Sequence, residues 1–171
     1  MPIRAARADD FATLAAITNH YITTSSIHFA YEPVTDADLR AMWERSRDRH
    51  PWLVTQDGEA GEVLGYAKSG VWRERAAYNW TCEVGLYIAD AARGRGLGRA
   101  LYEALLAECA RRGFRSAVAG ITLPNDPSIA LHEKCGFARV GTFADAGWKH
   151  GAWHAVEFWQ KRFATTLEGP P

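Results

Sequence analysis

Apolar residues recur along the chain with two periods, one typical of helices and the other of strands. Helical spacing follows start signals at Asp9-Asp10, Thr35 and Asp126-Pro127, and a further helix follows Gly98 and runs to about Arg112. Strand-like runs occupy residues 3–7, 52–56, 62–70, 80–88, 116–122, 138–144 and 153–161. The order β-α-α-β-β-β-α-β-α-β-β predicts an α/β (α+β) fold with a mixed, mostly antiparallel sheet.

The run at residues 80–88 alternates strictly between two faces. Cys82, Val84, Leu86 and Ile88 share one face, and Thr81, Glu83, Gly85 and Tyr87 share the other. Glutamate is disfavoured within a strand, and partial burial would raise its pKa towards the range useful for a general base. Glu83 is therefore a candidate base. The alternatives are a solvated strand residue or an ion pair with Arg73 or Arg75.

A glycine- and arginine-rich segment, Arg93-Gly94-Arg95-Gly96-Leu97-Gly98-Arg99, lies between that strand and the next predicted helix. Glycine lets backbone N–H groups approach a ligand closely, and a helix N-terminus attracts anions. The segment thus predicts a pyrophosphate site, with a glycine-rich turn and solvated arginines as the alternative. It lacks the Gly-Lys-Ser/Thr of a P-loop, and Arg99 stands where a dinucleotide fingerprint needs glycine.

The composition of the chain argues against several classes of protein. The 171 residues carry 20 Lys+Arg and 20 Asp+Glu, and this zero net charge lacks the positive field of a nucleic-acid binder. No apolar run approaches the ~18 residues of a membrane span, and Asp9-Asp10 interrupts the start where a signal peptide needs an apolar core. We therefore expect a cytoplasmic protein with neither nucleic acid nor membrane as partner, folded as one domain over residues 1–163 with a flexible tail at 164–171.

The three cysteines, Cys82, Cys109 and Cys135, are odd in number and far apart in the sequence. This spacing fits neither a disulfide framework nor a metal site. Because Cys82 is predicted on the apolar face of its strand, a role for it as a covalent nucleophile is also disfavoured.

Two motifs carry a resemblance to a known superfamily. Arg93-Gly94-Arg95-Gly96-Leu97-Gly98 resembles the Arg/Gln-x-x-Gly-x-Gly/Ala pyrophosphate loop of the GCN5-related N-acetyltransferases (GNAT), and Asn125-x-x-Ser128-x-x-Leu131-His132-Glu133-Lys134-x-Gly136-Phe137 resembles their next cofactor motif. Segments similar to phosphinothricin and methionine sulfoximine/sulfone acetyltransferases are 51–54, 80–83, 123–128, 149–154 and 158–160. The likeness spans roughly residues 2 to 163 and implies a GNAT fold, with six to seven strands flanked by about four helices, and a homodimer.

The resemblance also implies roles for individual residues. The positions implied to bind acetyl-CoA are Leu86, Tyr87, Ile88, Arg93, Gly94, Arg95, Gly96, Leu97, Gly98, Arg99, Asn125 and Ser128. Those implied to bind the acceptor are Phe29, Arg73, Arg75, Tyr78, Glu83 and Tyr87. Glu83 would be the base, and His132 stands where many members of the superfamily have a proton-donating tyrosine. A histidine on the helix surface, bonded to pantetheine or solvent, is the alternative for His132.

The implied activity is direct acetyl transfer from acetyl-CoA to the α-amine of a small amino-acid-like compound, with no metal. The chain departs from the phosphinothricin enzymes at Val84 and Gly85, where they carry hydroxyl groups, and at Ala30, where a basic residue often stands. These departures leave the acceptor open. The alternatives are a protein N-terminus, a lysine or a polyamine as acceptor, or a non-catalytic acetyl-CoA-binding module.

Overall fold

A seven-stranded sheet in the order β1-β2-β3-β4-β5-β7-β6 organises residues 1–164, which are those that the computed structural model describes. The elements are β1 Ile3–Ala5, α1 Phe11–Thr24, α2 Asp36–Ser46, β2 Trp52–Gln56, β3 Val63–Val71, β4 Thr81–Ile88, α3 Leu97–Arg111, β5 Ser116–Thr122, α4 Asp126–Lys134, β6 Ala138–Lys149 and β7 Ala152–Arg162. Only β4 and β5 run parallel. The predicted fold class and element order are confirmed, whereas the predicted tail lies, after Ala164, outside the described residues.

Two hydrophobic cores lie on opposite faces of this sheet. One packs α1 and α2 around Trp52 and Tyr66, and the other packs α3 and α4 around Leu101 and Leu105. The alternation predicted for β4 is confirmed, because Cys82 and Val84 belong to the α3 side while Tyr87 packs on the α1 side. Glu83 shares the face of Tyr87, since the two are four residues apart on one strand.

The parallel pair β4–β5 is joined over three residue pairs only, the last of which is Glu83 with Val118. Beyond that pair β4 continues along β3 to Ile88, and β5 continues along β7 to Thr122. The two strands therefore part in the middle of the sheet, and each presents an edge that the other does not cover. Such an edge offers N–H and C=O groups to an extended ligand.

Several predicted element boundaries were wrong, among them the end of β1, which is Ala5 and not residue 7. The N-cap of α4 is Asn125 and not Asp126, because the Asn125 side-chain oxygen accepts the Ser128 N–H at 3.3 Å. Strand β6 extends to Lys149 and not to residue 144. Its register with β7 shifts between Phe143 and Gly147, and this bulge interrupts the alternation on which the prediction relied.

A buried hydrogen bond joins α3 to α4. His132 is only 6% exposed, so the alternative of a histidine on the helix surface is wrong. Its Nδ1 donates to the Ser128 carbonyl oxygen at 2.7 Å, which leaves Nε2 to accept the Tyr102 hydroxyl at 2.9 Å. Burial lowers the pKa of His132, and the neutral ring satisfies both contacts.

We predict that Tyr102→Phe lowers the free energy of unfolding by about 1–3 kcal/mol, because it leaves the buried Nε2 of His132 without a donor. Urea denaturation measures the change. Tyr31→Phe is the matched control, since the exposed Tyr31 hydroxyl donates to the Trp148 carbonyl oxygen at 2.6 Å and its loss should cost less than about 1 kcal/mol. Equal losses in the two variants would contradict the account of this contact.

Candidate active site

A cavity of about 620 Å³ occupies the opening where β4 and β5 part. Its walls are residues 84–88 of β4, residues 119–122 of β5, and one side of α4. The α4 residues Ser128, Leu131 and Lys134 line it because they are spaced three apart and so follow one face of the helix. The sequence analysis missed the β5 wall, since nothing in a buried apolar strand indicates where its neighbour departs.

The β4 wall contains the predicted Leu86, Tyr87 and Ile88. Tyr21 of α1 also lines the cavity, and its hydroxyl donates to the Ile88 carbonyl oxygen at 2.6 Å. This bond holds the end of β4 against α1. Within residues 1–164 the preceding backbone on the β5 side has no strand partner, so an extended ligand bearing amide groups can pair with it as an added strand.

The glycine- and arginine-rich loop lies at one end of the cavity. Gly96 is the N-cap of α3 with φ +76° and has no side chain to satisfy the first N–H groups of the helix. Gly98 permits close packing, because a Cβ there would lie 3.2 Å from Cδ2 of Leu86. Arg93 and Arg99 line the cavity with both glycines. An uncapped helix N-terminus beside two guanidinium groups is a site for a phosphate-type anion.

Three of the residues predicted in this loop do not line the cavity. Gly94, with φ +75°, permits the turn, and Arg95 is exposed near the sulfur of Met1 at 3.9 Å. Neither residue, nor Leu97, contributes to the cavity wall.

Asn125, Ser128 and His132 lie together on the α4 side. Because the Asn125 oxygen caps the helix, its amide N–H₂ is the group left for a ligand. His132 borders the cavity, but its ring is held by Ser128 and Tyr102. It therefore packs as a buried neutral ring and not as a solvated one.

Glu83 lies at the last β4–β5 pair, one residue before the cavity begins, and its side chain is on the α1 side of the sheet. It reaches solvent, yet partial desolvation raises its pKa above the ordinary value, while the charges of Lys68 and Arg73 act in the opposite direction. Within residues 1–164 it forms no salt bridge, so the predicted alternative of an ion pair with Arg73 or Arg75 is absent there. On the same face, burial and the charge of Glu83 raise the pKa of Tyr87 to about 12.

The residues predicted for the acceptor fall into three places, the first of which is the α1 face of β4 with Glu83 and Tyr87. Arg73, Arg75 and Tyr78 line one cavity of about 580 Å³ at the loop before β4. Phe29 lies apart from them, in contact with Gly147 of β6 and with its ring 6.3 Å from that of His154.

Buried Lys149 fixes the loop that carries Phe29. Its ammonium donates to the carbonyl oxygens of Ile22, at 2.6 Å, and His28, at 2.5 Å. The loop between α1 and α2 is thereby joined to β6, a connection that the sequence did not reveal.

The cysteine of β4 lies in the core of the sheet. Cys82 is fully buried, and its contact with Cys109 and its burial raise the pKa of its thiol, which disfavours a nucleophilic thiolate. Across residues 1–164 no group of three His, Cys, Asp or Glu side chains could hold a metal ion. No helix in that range has the length and apolar character needed to cross a membrane.

Comparison with known proteins shows the family to which the chain belongs. Residues 14–137 match the model of the Acetyltransferase (GNAT) family. The chain is 46% identical to a phosphinothricin N-acetyltransferase of Streptomyces viridochromogenes, over 99% of this chain and 90% of that protein. It is 36% identical to an L-methionine sulfoximine/L-methionine sulfone acetyltransferase of Pseudomonas aeruginosa, over 98% of each.

A solved structure supplies the third comparison. It is a GNAT superfamily phosphinothricin acetyltransferase from Sinorhizobium meliloti in complex with acetyl-CoA, which superposes with a TM-score of 0.94 at 31% identity and covers 99% of this chain and 92% of that one. The family match, the identity over almost the whole length and the shared fold lead to one conclusion: the chain belongs to the GNAT family and is an acetyltransferase.

Proposed function

We propose that this protein transfers the acetyl group of acetyl-CoA to the α-amine of a small amino-acid-like compound of the phosphinothricin or methionine sulfoximine/sulfone type. The observation that carries the proposal is the position of Glu83, where β4 parts from β5 and the ligand-sized cavity begins. The activities of the named relatives from Streptomyces and Pseudomonas support the choice of acceptor.

The cavity fits acetyl-CoA in its chemistry. The uncapped N-terminus of α3, with Arg93 and Arg99, suits the pyrophosphate. The open edge of β4 and the Asn125 amide suit the peptide-like groups of the pantetheine arm. When bound, acetyl-CoA supplies an activated thioester that an unprotonated amine can attack.

Glu83 is the residue that would remove the amine proton, directly or through a water molecule. Amines are mostly protonated at neutral pH, so the acceptor needs such a base before it can react. Partial desolvation raises the pKa of Glu83, which brings the carboxylate closer to the range in which a base is effective.

The cavity lined by Arg73, Arg75 and Tyr78 supports an acidic acceptor, because guanidinium groups recognise carboxylate and phosphinate groups through paired hydrogen bonds. A polyamine acceptor would instead require acidic groups there. Glu74 is the one carboxylate of that cavity wall, and two arginines outweigh it.

His132 as the acid that protonates the leaving thiolate stays a prediction. A positioning role has the better support, since the Nδ1–H group donates to the Ser128 carbonyl oxygen and Nε2 accepts from the Tyr102 hydroxyl. A thiolate with a pKa near ~8.5 needs only modest help from an acid.

The partner that we propose is a second copy of this chain. Strand β6 is the edge of the sheet, and its hairpin with β7 exposes Val140, Phe143, Trp148 and Trp153. Exposed apolar side chains grouped on one hairpin are typical of an interface between proteins, and aromatic residues are enriched in such interfaces.

Glu83→Gln should lower kcat by about 10²- to 10⁴-fold, because it removes the base and leaves the shape of the site nearly unchanged. Release of free thiol from acetyl-CoA measures turnover, with phosphinothricin, methionine sulfoximine and methionine sulfone offered as acceptors. Glu44→Gln, which changes an exposed glutamate paired with Arg40 on α2, is the matched control and should keep its activity. Full activity of Glu83→Gln, or no turnover of any of the three acceptors by the unchanged protein, would contradict the proposal.

Gly96→Ala should raise the KM for acetyl-CoA about tenfold or more, because alanine disfavours the φ of +76° that opens the helix N-terminus to the ligand. Gly58→Ala is the control, since Gly58 has φ +74° and open space around it in the β2–β3 turn. Steady-state kinetics and thermal unfolding of both variants separate the two effects. We expect both variants to lose a similar amount of stability and only Gly96→Ala to have a higher KM for acetyl-CoA. Equal KM values for the two variants would overturn the assignment of this loop.

Light scattering coupled to size-exclusion chromatography should give twice the 19.0 kDa mass of the chain. Trp153→Glu should shift the mass to that of one chain, because it places a charge among the exposed aromatic residues of the hairpin. A mass of 19.0 kDa for the unchanged protein would contradict the homodimer.

A further inference from the structure

Lys68 of β3 is a cation near Glu83 that the sequence analysis did not single out. It lies directly opposite Gly85 of β4, and Gly70 lies opposite Glu83. Its side chain is on the face of Tyr66 and Trp52, because its ammonium lies 4.9 Å from the centre of the Trp52 ring. Lys68 and Glu83 are thus diagonal neighbours on the α1 side of the sheet.

The ammonium of Lys68 has few partners for a half-buried charge. Besides the Trp52 ring, it contacts Sδ of Met42 at 3.8 Å, and no oxygen in residues 1–164 accepts a hydrogen bond from it. An ammonium carries three N–H donors and binds best to an anion. Burial lowers the pKa of Lys68 and the charge of Glu83 raises it, so an additional anion would favour the charged form.

The surface beside Lys68 has room for a ligand. Gly85 has no side chain, and a Cβ built there would meet only Tyr87, at 3.8 Å from Cε2. The gap between Lys68 and Glu83 along the strands is about 6–7 Å, since they are two residues out of register. Lys68 and Glu83 therefore border the open surface at Gly85.

A second cation stands on the other side of Glu83. Arg73 follows the end of β3 at Val71, away from Lys68, and its charge also acts on Glu83. An amine held at Glu83 would therefore have a cation to either side, one for each acidic group of an amino acid with an acidic side chain.

Resting on the proposed function, we infer that Lys68 determines specificity by binding the acidic group at the end of the acceptor's side chain, while Arg73 binds the α-carboxylate. The enzyme then prefers α-amino acids whose side chain ends in a carboxylate or phosphinate over those that end in a neutral sulfone.

Lys68→Met tests this inference, because methionine retains the unbranched side chain over Trp52 and removes the charge. The KM for phosphinothricin, which has an acidic side chain, should rise about tenfold to a hundredfold, and the KM for methionine sulfone should change less than about threefold. Lys68→Arg should keep most of the preference. Arg40→Met, which removes an exposed positive charge on α2, should leave both values unchanged. Equal effects on the two acceptors, or no effect on either, would overturn the inference.

Calorimetric binding of phosphinothricin and methionine sulfone in the presence of coenzyme A separates this inference from the proposed function. If the unchanged protein binds phosphinothricin more tightly than methionine sulfone, and Lys68→Met loses this difference, the role of Lys68 is supported even without turnover. Absence of turnover would then count against the proposed function alone. If the unchanged protein binds phosphinothricin no more tightly than methionine sulfone, the inference about Lys68 is wrong.

Discussion

The end of the β4–β5 ladder at Glu83 and Val118 is the constraint on which the rest of the site depends. Because each strand stays paired on its other side, with β3 or with β7, the opening costs the sheet few hydrogen bonds. It creates two uncovered strand edges and a cavity between them, and it lies beside the N-terminus of α3. An extended ligand with an anionic end is the shape of molecule that such an arrangement can bind.

At this point of the sheet, the two faces of β4 carry side chains of different kinds. Cys82 and Val84 are buried in the core with residues of α3, so this face of β4 carries no accessible reactive side chain there. Glu83 and Tyr87 project to the opposite face, where Lys68 and Arg73 supply positive charge. A net charge of zero for the chain is thus compatible with local positive charge beside Glu83.

Local signals in the sequence predicted much of this arrangement. The alternation at residues 80–88 located Glu83 on its face, and Thr35 predicted the start of α2, where its hydroxyl accepts the Asp38 N–H. The loop glycines were recognised from the sequence alone, and two of them, Gly94 and Gly96, have the positive φ that favours this residue. Each of these features is determined within a few residues of sequence.

Features set by tertiary contacts could not be predicted in this way. The burial of His132 depends on Tyr102, thirty residues earlier, and the β5 wall depends on where β4 departs. Lys68 was missed because its relation to Glu83 arises from the register of β3 against β4. Strand β6 was predicted too short because a bulge breaks its period, and only pairing with β7 carries it on to Lys149.

The pH dependence of kcat, compared between the unchanged protein and Glu83→Gln, tests the central claim most directly. Partial desolvation raises the pKa of Glu83 above its ordinary value of 4.5, so the carboxylate becomes protonated, and kcat should fall, as the pH drops through that raised pKa. In Glu83→Gln this step should be missing, and only the ionisation of the amine itself should shape the profile. The same acidic step in both proteins would show that another group is the base.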